Sequence, residues 1–164
     1  MQAVSTMRCS RQRKHPATLS KSSMRSLGID LGTRRIGVAM SDSSGVIASP
    51  LTVVVRSANH GQDHKKIQEL IDEYEVDCVV VGMPLSMSGK VGPAAKSAQD
   101  EIKEMQTVLS VPVYSYDERL TSKTANESMM QANMKAQARR RIVDKIAAAV
   151  MLQGWLDHVD RHQK

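Results

Sequence analysis

Asp30, Glu118 and Asp144 are the carboxylates of this chain placed where they could do chemistry. Asp30 ends the short apolar run Leu27-Gly28-Ile29 and opens the turn Leu31-Gly32-Thr33, after which a second apolar run extends from Arg35 to Met40. A carboxylate within an apolar strand is costly unless a cation compensates it, either a bound ion or a neighbouring basic side chain. Glu118 belongs to the pair Asp117-Glu118, which closes a further strand-like run, with Asp117 read as a local cap. Asp144 borders a stripe of Val143, Ile146, Ala147, Val150 and Met151 in the last helical segment. Its alternative role is a helix N-terminal charge, favourable with the dipole. Three acids from separate elements, with no His or Cys among them, suit a hard cation that takes oxygen ligands, Mg²⁺ or Mn²⁺. Two such ions about 3.5–4 Å apart activate a water and stabilise the leaving oxygen of a phosphodiester.

Basic residues stand beside each acid. Arg34-Arg35 follow the Asp30 turn, Arg119 follows Glu118, and Arg139-Arg140-Arg141 precede Asp144. Read as standing just ahead of the last helix, those three arginines oppose its dipole at about 0.3–1 kcal/mol each. A phosphate partner would offset that cost; otherwise they form a solvated charge run. The loop Gly82–Lys90 adds glycines, Ser86 and Lys90, which could approach a nucleic-acid backbone. It is not a Walker loop, because Gly89-Lys90 lacks the following Ser or Thr. Arg34, Arg35, Ser86, Lys90, Arg119, Arg139, Arg140 and Arg141 are therefore the expected phosphate contacts.

The elements that must position these groups follow from periodicity. Residues 27–31, 35–40 and 47–55 read as three strands joined by short turns, with Pro50 marking an edge or a bulge. His64, Ile67, Leu70, Ile71 and Tyr74 recur at helical spacing. Val76–Gly82 is a continuous apolar run, as in a buried parallel strand. Residues 92–109 read as a helix with a polar outer face, 111–116 as a fifth strand, and 121–134 and 142–159 as two more helices. The order predicts an α/β fold with a mixed five-stranded sheet, three antiparallel strands followed by parallel ones, flanked by helices. Ligands of such sheets bind beyond the carboxyl ends of the strands, where Asp30 and Glu118 would both lie.

The chain has 164 residues and a net charge of +6. Residues 1–25 contain Arg8, Arg11, Arg13, Lys14, Lys21 and Arg25 and no acid. Taking those six from 23 basic residues leaves 17, level with the 17 acidic ones. Residues 26–164 are thus neutral overall, and any nucleic-acid contact must be a local patch. Residues 1–25 read as a disordered basic extension with the composition of an organelle transit peptide. That implies a plastid ahead of a mitochondrion, or the cytoplasm if the segment is a plain tail. No apolar run approaches the ~18 residues of a membrane span, so no membrane partner is expected. Cys9 and Cys78 have no metal-site spacing, and the two make no disulfide framework, which points to a reducing compartment. With no Phe and 11 Met, the core must draw on methionine; Met129, Met130 and Met134 read as core on a helix.

Together these segments resemble the YqgF/RuvX family, described as Holliday junction resolvases and as pre-16S rRNA nucleases. The words that carry the resemblance are Gly28-Ile29-Asp30-Leu31-Gly32-Thr33-Arg34-Arg35-Ile36-Gly37-Val38-Ala39, Val81-Gly82-Met83-Pro84, Asp117-Glu118-Arg119-Leu120-Thr121 and Val143-Asp144-Lys145-Ile146-Ala147-Ala148. The resemblance covers about Ser26 to His158, and these words stand in the family's order. The sequence departs at Ser88-Gly89, where Asp-Gly is common, and at Ser122, where a second Thr is common. The resemblance implies a ribonuclease H-like domain over residues 26–164 and a two-metal nuclease site at Asp30, Glu118 and Asp144. It implies a nucleic-acid partner, precursor rRNA or branched DNA, and a monomer or homodimer. The expected activity is cleavage of structured nucleic acid, foremost at the 5′ end of small-subunit rRNA precursor. The alternatives are a Holliday junction resolvase and a non-catalytic RNA- or ribosome-binding module. An actin-like ATPase or sugar kinase would need a second domain, which 164 residues do not hold.

Overall fold

A computed structural model describes residues 24–84, 91–117 and 136–161. Five strands, β1 (Ser26–Leu31), β2 (Arg35–Ser41), β3 (Ala48–Val55), β4 (Cys78–Met83) and β5 (Val113–Asp117), form one sheet in the order β3-β2-β1-β4-β5. The first three pair antiparallel, whereas β1–β4 and β4–β5 are parallel. Helix α1 (His60–Tyr74) connects β3 to β4, α2 (Pro93–Val108) connects β4 to β5, and α3 (Ala136–Arg161) is the last described element. The mixed sheet is the expected one. Pro50 stands in the edge strand beside a register shift opposite Val38 and Ala39, where a missing ladder donor is tolerated.

Alternation along the strands divides the core in two. Leu27, Ile29, Val79 and Val81 face one side, where Ile67 and Ile71 of α1 and Ala98, Ile102 and Met105 of α2 cover them. Ala39, Cys78 and Val80 face the other side, under Ala148, Met151, Leu152, Trp155 and Leu156 of α3. Glycines bring α3 down onto this second face. A Cβ at Gly28 would lie 2.8 Å from Cβ of Leu152, and one at Gly37 would run into the Asp144 carbonyl. The bare strand positions, and not small helix residues alone, set this close approach.

Two expectations about α3 change. The buried stripe runs through Ala148, Met151, Leu152, Trp155 and Leu156, while Ile146, Ala147 and Val150 are half-exposed. Asp144 is one turn before Ala148 and so heads the stripe instead of bordering it. The helix also includes Ala136–Ile142, so Arg139, Arg140 and Arg141 stand inside it and not ahead of it. At the other end of the sheet, Arg25 donates through Nη1 to the Tyr74 carbonyl at 2.6 Å, and its backbone N–H reaches Asp77 Oδ2 at 2.8 Å. Arg25, counted with the basic extension on composition, is thus bonded to the sheet domain. The expected helix at 121–134, with Met129, Met130 and Met134, lies outside the described residues, as does the extension up to residue 23.

Candidate active site

Asp30 is the penultimate residue of β1, and its cross-strand partner is Gly37 of β2. Odd–even alternation puts Leu27 and Ile29 into the core beneath α1 and α2, so Asp30 takes the α3 side. Gly37 leaves that side open, and α3 at Asp144 and Ala148 occupies the space. Asp144 is thereby brought to Asp30 from the far end of the chain. Burial, and then the charge of Asp144, push the Asp30 carboxyl above the ordinary carboxylate range. Desolvation and a like charge both disfavour the ionised form. Such a pair is stabilised by a cation.

Among the described residues, Arg35 supplies a cation. Its Nε donates to Asp144 Oδ2 at 2.5 Å, with both side chains about a quarter exposed. Arg35 was expected to contact phosphate; in this structure it holds the Asp144 carboxylate. Arg34 is exposed next to it. The turn between the strands is tight. Gly32 N–H donates to the Asp30 carbonyl at 3.1 Å, and a Cβ at Gly32 would collide with the Arg35 carbonyl.

The parallel strands deliver the other expected groups to the same edge. Ile29 is level with Val81, and Met83 with Asp117, so β1, β4 and β5 all end there. Asp117 is half-buried at the close of β5. Glu118, Arg119, Ser86 and Lys90 lie outside the described residues, as do the side chains of Arg139, Arg140 and Arg141. Asp30 and Asp144 are brought together; Glu118 is one residue beyond that edge in sequence.

Oxygen donors without His or Cys fit Mg²⁺ or Mn²⁺. No cluster of three or more metal-ligating side chains occurs among the described residues. The fit rests on Asp30 and Asp144, two carboxylates close enough for one to perturb the other.

One set of residues at this edge was not singled out from sequence. Arg56, just past β3, donates through Nε to the Gly32 carbonyl at 3.0 Å and through Nη1 and Nη2 to Glu101 at 2.6 and 2.9 Å. Asp63 and His64 of α1 are buried beside it. His64 had been placed on the apolar face of that helix, which holds. Glu101 shares the spacing of Ala98, Ile102 and Met105, a signal that could have marked it as inward-facing.

Comparison with known proteins decides the family. A family model described as "RuvX: Holliday junction resolvase" matches residues 24–158. This chain belongs to the RuvX family. Proteins named "Putative pre-16S rRNA nuclease" are similar over most of its length. That of Bacillus subtilis is 39% identical, covering 84% of this chain and 100% of its own. That of a Geobacillus species is 42% identical, covering 82% and 98%. Among solved structures, RuvC of Thermus thermophilus superposes with a TM-score of 0.52 at 16% identity, covering 82% of this chain and 96% of RuvC. The same RuvC has been solved in complex with a Holliday junction substrate, with a TM-score of 0.50. That likeness establishes the ribonuclease H-like fold of this RuvX chain.

Proposed function

We propose that this RuvX protein is a metal-dependent endonuclease of structured nucleic acid that matures the 5′ end of small-subunit rRNA precursor. The observation that carries the reading is the seating of Asp30 near Asp144 at the carboxyl edge of the sheet, where burial and the charge of Asp144 push the Asp30 carboxyl up and a bound cation would relieve it. The names of the relatives at about 40% identity support the class of reaction and the ribosomal substrate.

In this reading Asp30 and Asp144, joined by Glu118, hold one or two Mg²⁺ or Mn²⁺ ions. When bound, the ions supply an activated water and charge stabilisation at the leaving oxygen. Arg35 fixes the orientation of the Asp144 carboxylate. Arg34, Arg119, Ser86, Lys90 and Arg139–Arg141 grip phosphates and set the register of the substrate, as basic and hydroxyl side chains do.

The test is cleavage of precursor rRNA and of a four-way DNA junction side by side, with Mn²⁺ calorimetry on the same preparation. Metal binding with cleavage of the rRNA precursor, both lost in Asp30→Asn, is the expected result. A protein that binds no Mn²⁺ and cuts neither substrate would be a nucleic-acid- or ribosome-binding module. A second reading, junction resolution, is favoured by the description of the family model. Resolution needs paired nicks and hence two active sites, so mass in solution with and without a junction separates it from the first.

A further inference from the structure

The buried ion cluster around Arg56 sits under the turn that carries Asp30, on the side of the sheet away from Asp144. The Arg56 backbone N–H donates to the Arg34 carbonyl at 3.1 Å, and its Nε to the Gly32 carbonyl at 3.0 Å. The turn from Asp30 to Arg35 is therefore held at two carbonyls by one residue. The guanidinium is itself clamped. Glu101 of α2 accepts from both terminal nitrogens, at 2.6 and 2.9 Å, and Asp63 Oδ2 of α1 lies 3.8 Å from Nη1. Glu101 is 4% exposed and Asp63 is fully buried. Asp63 Oδ1 in turn accepts from Ser57 N–H at 2.9 Å, fixing the chain just after Arg56.

Burying such a group is a poor way to gain stability. Desolvation of the charges offsets much of their attraction, and apolar residues of similar volume often serve the fold as well or better. What an apolar residue cannot do is donate in a fixed direction to a turn carbonyl. Arginine can, because its planar fork spends two nitrogens on a carboxylate while Nε points elsewhere. Helices α1 and α2 thus act, through Arg56, on the strand end where Asp30 must meet Asp144. Small displacements of a catalytic group are expensive to rate, so such supports matter.

We infer that Arg56 is a positioning residue for Asp30, fixing the β1–β2 turn through the Gly32 and Arg34 carbonyls while Glu101 and Asp63 hold its guanidinium. The role in catalysis rests on the nuclease reading above; the effect on the turn does not.

The experiment compares Arg56→Met and Arg56→Lys with Ile71→Ala, a core truncation near the opposite end of α1. Each full-length variant is measured three ways: thermal melting, amide hydrogen exchange of residues 31–35 without metal, and kcat and KM for cleavage with Mg²⁺. Arg56→Met should exchange at 31–35 at least tenfold faster than Ile71→Ala, and kcat should fall more than tenfold with KM within about twofold. Arg56→Lys keeps the charge for folding but lacks the fork, so it should show the same split to a lesser degree. Ile71→Ala should melt lower while keeping kcat per folded molecule. Turnover that tracks melting temperature across all three variants, or exchange at 31–35 no faster in the Arg56 variants than in Ile71→Ala, overturns the inference. If the wild type cuts no substrate, the nuclease reading fails, and the exchange measurement alone still decides whether Arg56 holds the turn.

Discussion

The Asp144 carbonyl occupies the space that a side chain at Gly37 would need. Gly37 is also the cross-strand partner of Asp30. One missing methyl group therefore sets how closely the acid of α3 can approach the acid of β1.

Gly37→Ala should lower activity out of proportion to stability. Overpacking costs about 1–3 kcal/mol, and the added Cβ must be relieved by lifting α3 at Asp144 and Ala148, which moves Asp144 from Asp30. Melting and cleavage measured on the same preparation test this. A variant that melts lower but cleaves at the wild-type rate would show that α3 need not sit so close.

Asp30→Asn should raise the melting temperature of metal-free protein at pH 7 while abolishing cleavage. The sign follows from the raised carboxyl. Between the ordinary carboxylate range and the raised native value, the folded chain holds a proton that the unfolded chain has lost, so stability declines as pH rises through that window. Above it the penalty is complete, and Asn removes it. Below pH ~4, where both states are protonated, the gain should vanish. Mn²⁺ should raise the melting point of the wild type and not of the variant, since a ligand stabilises the state it binds. Equal Mn²⁺ shifts in the two proteins would move the metal away from Asp30.

Cys78 should be inert in the folded protein. Burial pushes its thiol up to about 11, with Ser26 Oγ 3.4 Å from the sulfur as a weaker opposing influence. In a Cys9→Ser background, a thiol reagent at pH 8 should label Cys78 only as fast as the protein unfolds. Between pH ~8.5 and the raised value the unfolded chain loses the proton first, so stability falls with rising pH. Cys78→Ala should flatten that slope.

Replacing Arg139, Arg140 and Arg141 with Gln should weaken nucleic-acid binding and flatten its salt dependence, by roughly 0.9 in the log–log slope for each duplex phosphate no longer neutralised. Maximum turnover should fall less than affinity. An unchanged slope in a filter-binding salt titration would place the substrate path elsewhere.

Deletion of residues 1–23 should leave melting and cleavage unchanged, whereas deletion through Arg25 should destabilise the domain. Arg25 bonds to Tyr74 and Asp77, and removing those hydrogen bonds costs roughly 0.5–1.5 kcal/mol apiece. We propose that the shorter deletion also redirects a fluorescent fusion from a plastid to the cytosol; the same location for both fusions would leave residues 1–23 as a plain basic tail.

Strand alternation made much of this site legible. In β1 it separates Ile29 from Asp30 onto opposite faces, and the apolar runs of β4 and β5 gave the parallel edge beyond which Glu118 follows. The phase of α3 was harder to read. Val150 and Ile146 are larger than Ala148, so size suggested the wrong stripe, and the vacancies that admit the helix belong to Gly28 and Gly37 on other strands. The spacing of Glu101 with Ala98, Ile102 and Met105 marks it as inward-facing, but nothing local names Arg56 as its partner, 45 residues away. Pairwise complementarity of that kind is a property of the assembled fold, not of any window of sequence.

The Arg35–Asp144 pair bridges 109 residues of chain, and α3 is the last described element to be synthesised. Contacts of such separation form late, since the loop must close before they contribute. A nascent chain could complete all five strands, with Asp30 in its turn, and still lack Asp144. Cutting would then have to wait until α3 has docked. A chain broken off before α3 would therefore keep the sheet and the Asp30 turn and yet hold no pair of acids to share a metal.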